Sequence, residues 1–194
     1  MNNIEFAKSV LKQESDGILH MLEAIDEDFE KMVTSLSSLK GHLITTGVGK
    51  SGNIAQKLAS TFASTGTPSF FIHPADSSHG DLGMITRDDA ILALSVSGNT
   101  IEMINILNYA YSHQIPIIGF TSNSNSILYE KSTFKILFPK YKEAGTLNLA
   151  PSTSSTAMLA VGDALALTMS KSKNFTKEDF KKYHPGGALG NSIK

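Results

Sequence analysis

ILALSVSGNT, residues 91–100, decides the fold. Four apolar residues stop abruptly at a stretch that holds three hydroxyl side chains and one glycine within six positions. A short continuous apolar run reads as a strand buried on both faces. The polar residues after it read as the loop at the strand's carboxyl end, and 101–113 reads as the helix that follows. None of the hydroxyls has an obvious base beside it, so their concentration needs another explanation.

The same pattern extends in both directions. HLITTG (42–47) reads as a strand and 50–65 as a helix. PSFFIH (68–73) is the next strand, followed by a polar loop over 74–83. The opening run belongs to a strand over 89–94. IPIIGF (115–120) is a strand, 126–131 a short helix, and FKILF (134–138) a fifth strand. A long loop spans 139–151, and 154–171 is a strongly apolar helix. Apolar positions at helical spacing over 3–38 predict two helices, broken near 15–17, that pack on the rest or form a subunit interface. Thr176 and Asp179 form a capping-box pattern near the end. Five strands alternating with helices predict an α/β fold, a three-layer α-β-α sandwich around a parallel sheet. In such sheets ligands bind outside the carboxyl ends of the strands, near the switch in strand order.

The chain has 194 residues, 41% hydrophobic and 18% charged, with a net charge of −1. This suits a single domain over 1–194 and offers no global field for nucleic acid or anionic lipid. With no cysteine, disulfides, thiolate zinc sites and cysteine nucleophiles are excluded. No apolar run reaches the ~18 residues of a membrane span. The amino terminus carries early acidic residues and no long apolar block, so no signal peptide is expected. A cytoplasmic location fits these features.

The strand-end loops hold the chemistry. GVGKSG (47–52) leads into a helix, where free N–H groups, the helix dipole and Lys50 favour an anion. It does not match the P-loop pattern. Gly47, Gly49 and Gly52 match dinucleotide-binding spacing, but the second strand ends on His73 and Pro74 rather than on an acid that could hold a ribose. The hydroxyls of Ser95, Ser97 and Thr100, with neighbouring N–H groups, converge on a small anion such as a phosphate monoester. The bland alternative is a turn and a helix cap, which one hydroxyl satisfies. KEAGTLNLAPSTSST (142–156) brings a second hydroxyl run to another helix start, with Glu143 in the loop before it. His79 and His184 adjoin glycine-rich loops, whereas His20, His42, His73 and His113 read as structural. His79, Asp81 and His184 lack metal-ligand spacing, so no metal is expected.

Ser95-x-Ser97-Gly98-x-Thr100-x-Glu102 resembles the signature of the sugar isomerase (SIS) domain. Three longer blocks, GVGKSGNIAQKLASTFASTGTPSFFIHPADSSHGDLGMI (47–85), KEAGTLNLAPSTSSTAMLAVGDALA (142–166) and HPGGALG (184–190), resemble the arabinose-5-phosphate isomerases within it. The resemblance implies interconversion of D-ribulose 5-phosphate and D-arabinose 5-phosphate, a step that supplies 3-deoxy-D-manno-octulosonate for lipopolysaccharide, in a Gram-negative source. It implies a five-stranded flavodoxin-like sheet and a homotetramer with active sites shared between subunits. By motif position, Lys50, His79, Glu102, Glu143 and His184 fall on the family's active-site residues, and Ser51, Ser95, Ser97 and Thr100 on its phosphate contacts. The sequence departs from the family in three places. Asp76 stands where glutamate is common, SVSGNT replaces SNSGES-like text, and TLNLAP replaces a glycine-containing version. The CBS (cystathionine-β-synthase) pair that follows this domain in many members is not in the sequence, so its regulation is not expected.

An aldose–ketose isomerase moves a proton between adjacent carbons through a cis-enediol. It needs a carbon base, a proton shuttle and a charge that steadies the enediolate, and no metal or organic cofactor. The expected base is Glu143, tuned by burial, with Glu102 second. His184 shuttles protons or assists ring opening, His79 assists at the far end of the sugar, and Lys50 polarises the carbonyl. A different SIS isomerase is one alternative. A non-catalytic sugar-phosphate regulator is another, disfavoured because all five candidate groups are present and no DNA-binding segment precedes them.

Overall fold

The computed structural model describes residues 1–186; of the HPGGALG block, 187–190 lie outside them. Helix α1 (Asn3–Leu19) starts with a capping box in which Asn2 and Glu5 exchange side-chain and backbone bonds. It does not break near 15–17. Gly17 is its one buried residue, and a Cβ there would lie 2.5 Å from Thr153 Cγ2. Gly17 therefore permits a close helix approach rather than ending a helix. The chain turns later, after the 3-10 turn His20–Ala24, where Asp26 caps α2 (Glu27–Ser37) by accepting from the N–H groups of Asp28 and Phe29.

Strand β1 (Leu43–Gly47) leads to α3 (Gly49–Ser64), and β2 (Ser69–Phe71) to the one-turn α4 (Pro74–Ser77). A 3-10 turn over Asp81–Met84 follows, so α4 and the start of this turn both fall on the 74–83 stretch expected as loop. Strand β3 (Ala90–Leu94) is followed by the 3-10 turn Ile101–Met103 and α5 (Ile104–Ser112). Then come β4 (Ile117–Thr121), α6 (Ile127–Lys131), β5 (Phe134–Leu137), α7 (Thr153–Ser172) and α8 (Lys177–Tyr183). The expected capping box of Thr176 and Asp179 opens α8.

All strand pairs are parallel, in the order β2-β1-β3-β4-β5. Side chains alternate between two cores, as the strand repeat of two requires. Leu43, Leu92, Leu94, Ile118 and Phe120 join α2, α3 and α7 on one face. Ile44, Ile91, Ala93 and Ile117 join α5 and Leu128 of α6 on the other. The chain steps from β1 to β2 in one direction and then from β3 to β5 in the other. Right-handed crossovers therefore send α3 to one face and α5 and α6 to the opposite one. The order reverses between β1 and β3, whose last residues, Gly47 and Leu94, are paired neighbours. That pairing puts the 48–51 and 95–100 loops side by side at the switch point.

The amino edge of the sheet is pinned by Asp89. Its buried carboxylate accepts from His42 N (2.6 Å), Thr86 N (2.6 Å) and Thr86 Oγ1 (2.9 Å). Burial pushes this carboxyl up, but the bonds from His42 and Thr86 outweigh it and hold it below its ordinary value. Asp89→Ala strands these donors and is expected to cost on the order of 3 kcal/mol, read as a lower urea midpoint with an unchanged m-value.

Candidate functional site

The switch point opens into a cavity of about 370 Å³ lined by Lys50, Ser51, Ser95, Ser97 and Thr100, with Val48, Val96 and Pro151 on its walls. Five of the nine residues singled out from sequence thus meet in one opening. Ser95 is buried at the end of β3, and its N–H donates to Phe120 O (3.0 Å). Ser95 Oγ lies 2.8 Å from Thr100 Oγ1 and 3.4 Å from Ser97 Oγ, and it accepts from Gly98 N at 3.0 Å.

Gly98 holds the turn at φ 66°, in the left-handed region, and a Cβ there would overlap Ser126 Oγ. The loop is also laced to the loop after β4 and to the start of α6. Asn123 Nδ2 donates to Ser97 O at 3.1 Å, Leu128 N to Gly98 O at 3.0 Å, and Ile127 N to Asn99 Oδ1 at 2.9 Å. Thr100 makes no side-chain cap bond although it stands at the N-cap of the 3-10 turn, so helix capping does not account for its hydroxyl. Helix α3 likewise starts without a capping side chain, and its first-turn residues Lys50 and Ser51 line the same opening at the positive end of the helix dipole. Gly52 serves packing, since a Cβ there would lie 2.6 Å from Gly47 O, and so its place in the dinucleotide spacing has a structural cause.

Glu143 lies on the wall of a second cavity of about 310 Å³, which shares Val96 and Ser97 with the first. Its carboxylate accepts from Ser152 N (2.8 Å), Ser152 Oγ (3.3 Å) and Ser154 N (3.2 Å), and also from Ser154 Oγ. Ser152, the N-cap residue of α7, makes no side-chain cap bond; the capping group is Glu143, nine residues upstream. Burial pushes this carboxyl up, but the hydrogen bonds from Ser154 and Ser152 outweigh it and hold it below the usual glutamate value. Burial does not raise Glu143 into a near-neutral range; the helix start keeps it ionised. A depressed folded-state pKa stabilises the fold above the unfolded value of about 4.3 and loses that contribution as pH falls through the lower folded value. The Tm gap between the wild-type protein and Glu143→Gln is therefore expected to close as pH is lowered below about 4.

The remaining candidates are not among the residues that line these cavities. Glu102 is exposed on the 3-10 turn after the 95–100 loop. His79 is exposed after α4, with its N–H on Asp76 O at 2.8 Å; α4 packs against α5 and that same 3-10 turn. His184 lies elsewhere. It stacks on Phe180 with ring centroids 3.9 Å apart, and its Nδ1 lies 2.8 Å from Phe180 O. The preceding Tyr183 stacks on Phe175, and Phe175 packs against Gly66, just before β2. Lys173 Nζ reaches Thr67 Oγ1 at 2.9 Å beside it. His184 is thus at the amino edge of the sheet. The whole of α7, roughly 30 Å at 1.5 Å per residue, separates that edge from the cavities. One chain does not unite His184 with Lys50 and Glu143, and it does not bring His79 and His184 together as metal ligands. Among the described residues, no cluster of three or more histidine, cysteine, aspartate or glutamate side chains could hold a metal ion. Also among them, no helix is long and apolar enough to cross a membrane.

Sequence reading missed Ser122, Asn123, Lys140 and Tyr141, which line the second cavity with Glu143. The available signal was positional, because they follow β4 and β5 at the carboxyl edge.

A parallel sheet with a hydroxyl-lined cavity at its switch point defines a doubly wound α/β domain with an opening of the ligand-binding kind at the carboxyl ends of its strands. Residues 35–168 match the SIS domain family, and the chain belongs to it. The chain is 44% identical over 195 residues to arabinose 5-phosphate isomerase KdsD of Francisella tularensis, covering 99% of this chain and 60% of that protein. It is also 44% identical to KdsD of Pseudomonas aeruginosa over 194 residues, covering 98% of this chain and 60% of that protein. The chain therefore spans about 60% of the length of these curated relatives. Among solved structures, that of E. coli CFT073 c3406 in complex with arabinose 5-phosphate superposes with a TM-score of 0.89 at 42% identity, covering 95% of this chain and 100% of that one.

Proposed function

We propose that this SIS-family chain is an aldose–ketose isomerase that interconverts D-ribulose 5-phosphate and D-arabinose 5-phosphate through a cis-enediol. The observation that carries the reading is the switch-point cavity, where Lys50, Ser51, Ser95, Ser97 and Thr100 meet beside the Glu143 cavity. The likeness to the KdsD proteins and to the sugar-phosphate complex of c3406 supports the choice of sugar.

The phosphate sits on the 95–100 hydroxyls and Ser51, which fixes the sugar's register. Lys50 supplies the charge that steadies the developing enediolate. Glu143 is the carbon base, favoured over Glu102 because it lines a cavity wall that continues into the phosphate cavity. Its hydrogen bonds keep it in the carboxylate form that a base requires. Glu102 and His79 act from the rim. His184 completes the site from a second subunit of a homotetramer. Its position at the opposite edge of its own chain supports this, as do the exposed apolar residues Ile4, Leu11 and Leu22 near the amino terminus. The reaction runs in the cytoplasm and supplies 3-deoxy-D-manno-octulosonate synthesis.

Purified protein given either pentose phosphate is expected to approach the same mixture from both sides. Binding of both sugars without turnover would assign the chain to the sugar-phosphate regulators instead.

A further inference from the structure

Glu143 sits on a loop, 139–151, that has no regular element of its own; Tyr141 and Ala144 pack inward, but Leu147 and Leu149 beyond them are exposed. Its carboxylate is nevertheless held by four hydrogen bonds from Ser152 and Ser154. Those bonds fix the far side of the loop; the near side is tied to α1. Tyr141 Oη donates to Gly17 O at 2.8 Å. Gly17 lies in the last turn of α1, where carbonyls lack partners within the helix. Gln13, one turn earlier, donates through Nε2 to Lys142 O. The two residues immediately before Glu143 are thus both bonded to α1.

The approach depends on Gly17, whose missing Cβ lets α1 come against Thr153, the residue between Ser152 and Ser154. Tyr141 also lines the cavity that Glu143 lines. Its ring is half-buried, and burial pushes its phenol up to about 12, so it stays a neutral donor across the working pH range.

We propose that Tyr141 is a positioning residue, whose hydroxyl on Gly17 O latches the Glu143 loop to α1 and so fixes where the carboxylate meets the substrate. The catalytic consequence rests on the isomerase reading; the latch itself does not. It also explains why a mostly exposed amino-terminal helix carries a buried glycine above the start of α7.

Tyr141→Phe keeps the ring and removes the donor. It is expected to lower kcat about tenfold or more, since small misplacements of reacting groups cost up to about 10²-fold. KM and inhibition by inorganic phosphate should stay within about twofold, because the phosphate loop is untouched. In the Glu143→Gln background the same change should cost less than about twofold, because the group it positions is gone. Trypsin cleavage after Lys140 and Lys142, both on this loop, should rise severalfold. Gln13→Ala should move kcat and cleavage in the same direction to a smaller extent, and it carries the test if Tyr141→Phe folds poorly. Unchanged kcat and cleavage, or an equal loss in both backgrounds, overturns the proposal. If the unsubstituted protein proves inactive, the isomerase reading fails and cleavage alone decides the latch: faster cleavage upholds it and unchanged cleavage overturns it.

Discussion

Glu143→Gln is expected to lower kcat by about 10²–10⁴-fold while leaving KM for the pentose phosphate nearly unchanged. The amide keeps the shape of the carboxylate and one oxygen acceptor for the start of α7. It loses the charge and the capacity to take a proton from carbon. The pH profile separates the two duties of this side chain. Only ionised Glu143 is a base, and its hydrogen bonds depress its pKa. The acid limb of kcat should therefore fall below the ordinary carboxylate range. Ser154→Ala removes a donor to Oε1 while keeping the carboxylate, so the acid limb should move to higher pH. A Glu143→Gln protein with full turnover would transfer the base to Glu102. An acid limb that ignores Ser154→Ala would detach it from Glu143.

Gly98→Ala should disable the 95–100 loop, the proposed phosphate seat, and cost stability together. At φ 66° an added Cβ overlaps Ser126 Oγ and comes within 2.7 Å of Thr121 Oγ1, both on neighbouring segments packed under the loop. Left-handed backbone and overpacking together are expected to cost about 2–4 kcal/mol, measured by urea unfolding. The loop must move to relieve the overlap, and Ser95, Ser97 and Thr100 move with it. KM for the sugar phosphate should rise about 100-fold, and inhibition by inorganic phosphate should weaken in parallel. Because the loss falls on binding, kcat should change much less than KM. A variant that unfolds earlier yet binds phosphate normally would separate the hydroxyl loop from the anion site.

These two residues also mark where sequence reading succeeded and where it stopped. ILAL followed by SVSGNT identified a buried strand and the hydroxyl loop at its carboxyl end, because apolar continuity and a hydroxyl cluster are local signals. The pairing of Gly47 with Leu94 is not local, yet the switch-point rule anticipated a site there, and Lys50 and Ser51 do meet Ser95. The role of Glu143 at the start of α7 was not legible. Hydroxyls at a helix start ordinarily cap it themselves, but here the acceptor comes from nine residues upstream, and its bonds reverse the pKa direction that burial alone suggests. Gly17 misled in the same way. A glycine between helical runs reads as a break, whereas here it is a contact point between α1 and α7, made by residues far apart in sequence. The separation of His184 from the cavities depends on the length and direction of α7, which spacing does not reveal.

The most direct test is to incubate the purified protein with D-arabinose 5-phosphate in deuterium oxide and follow C2 and the appearance of D-ribulose 5-phosphate by proton NMR. A cis-enediol route through Glu143 predicts deuterium at C2 of recovered substrate together with ketose formation, and Glu143→Gln should remove both. Ketose formation with no solvent deuterium at C2 at any conversion, or exchange unaffected by Glu143→Gln, would contradict it.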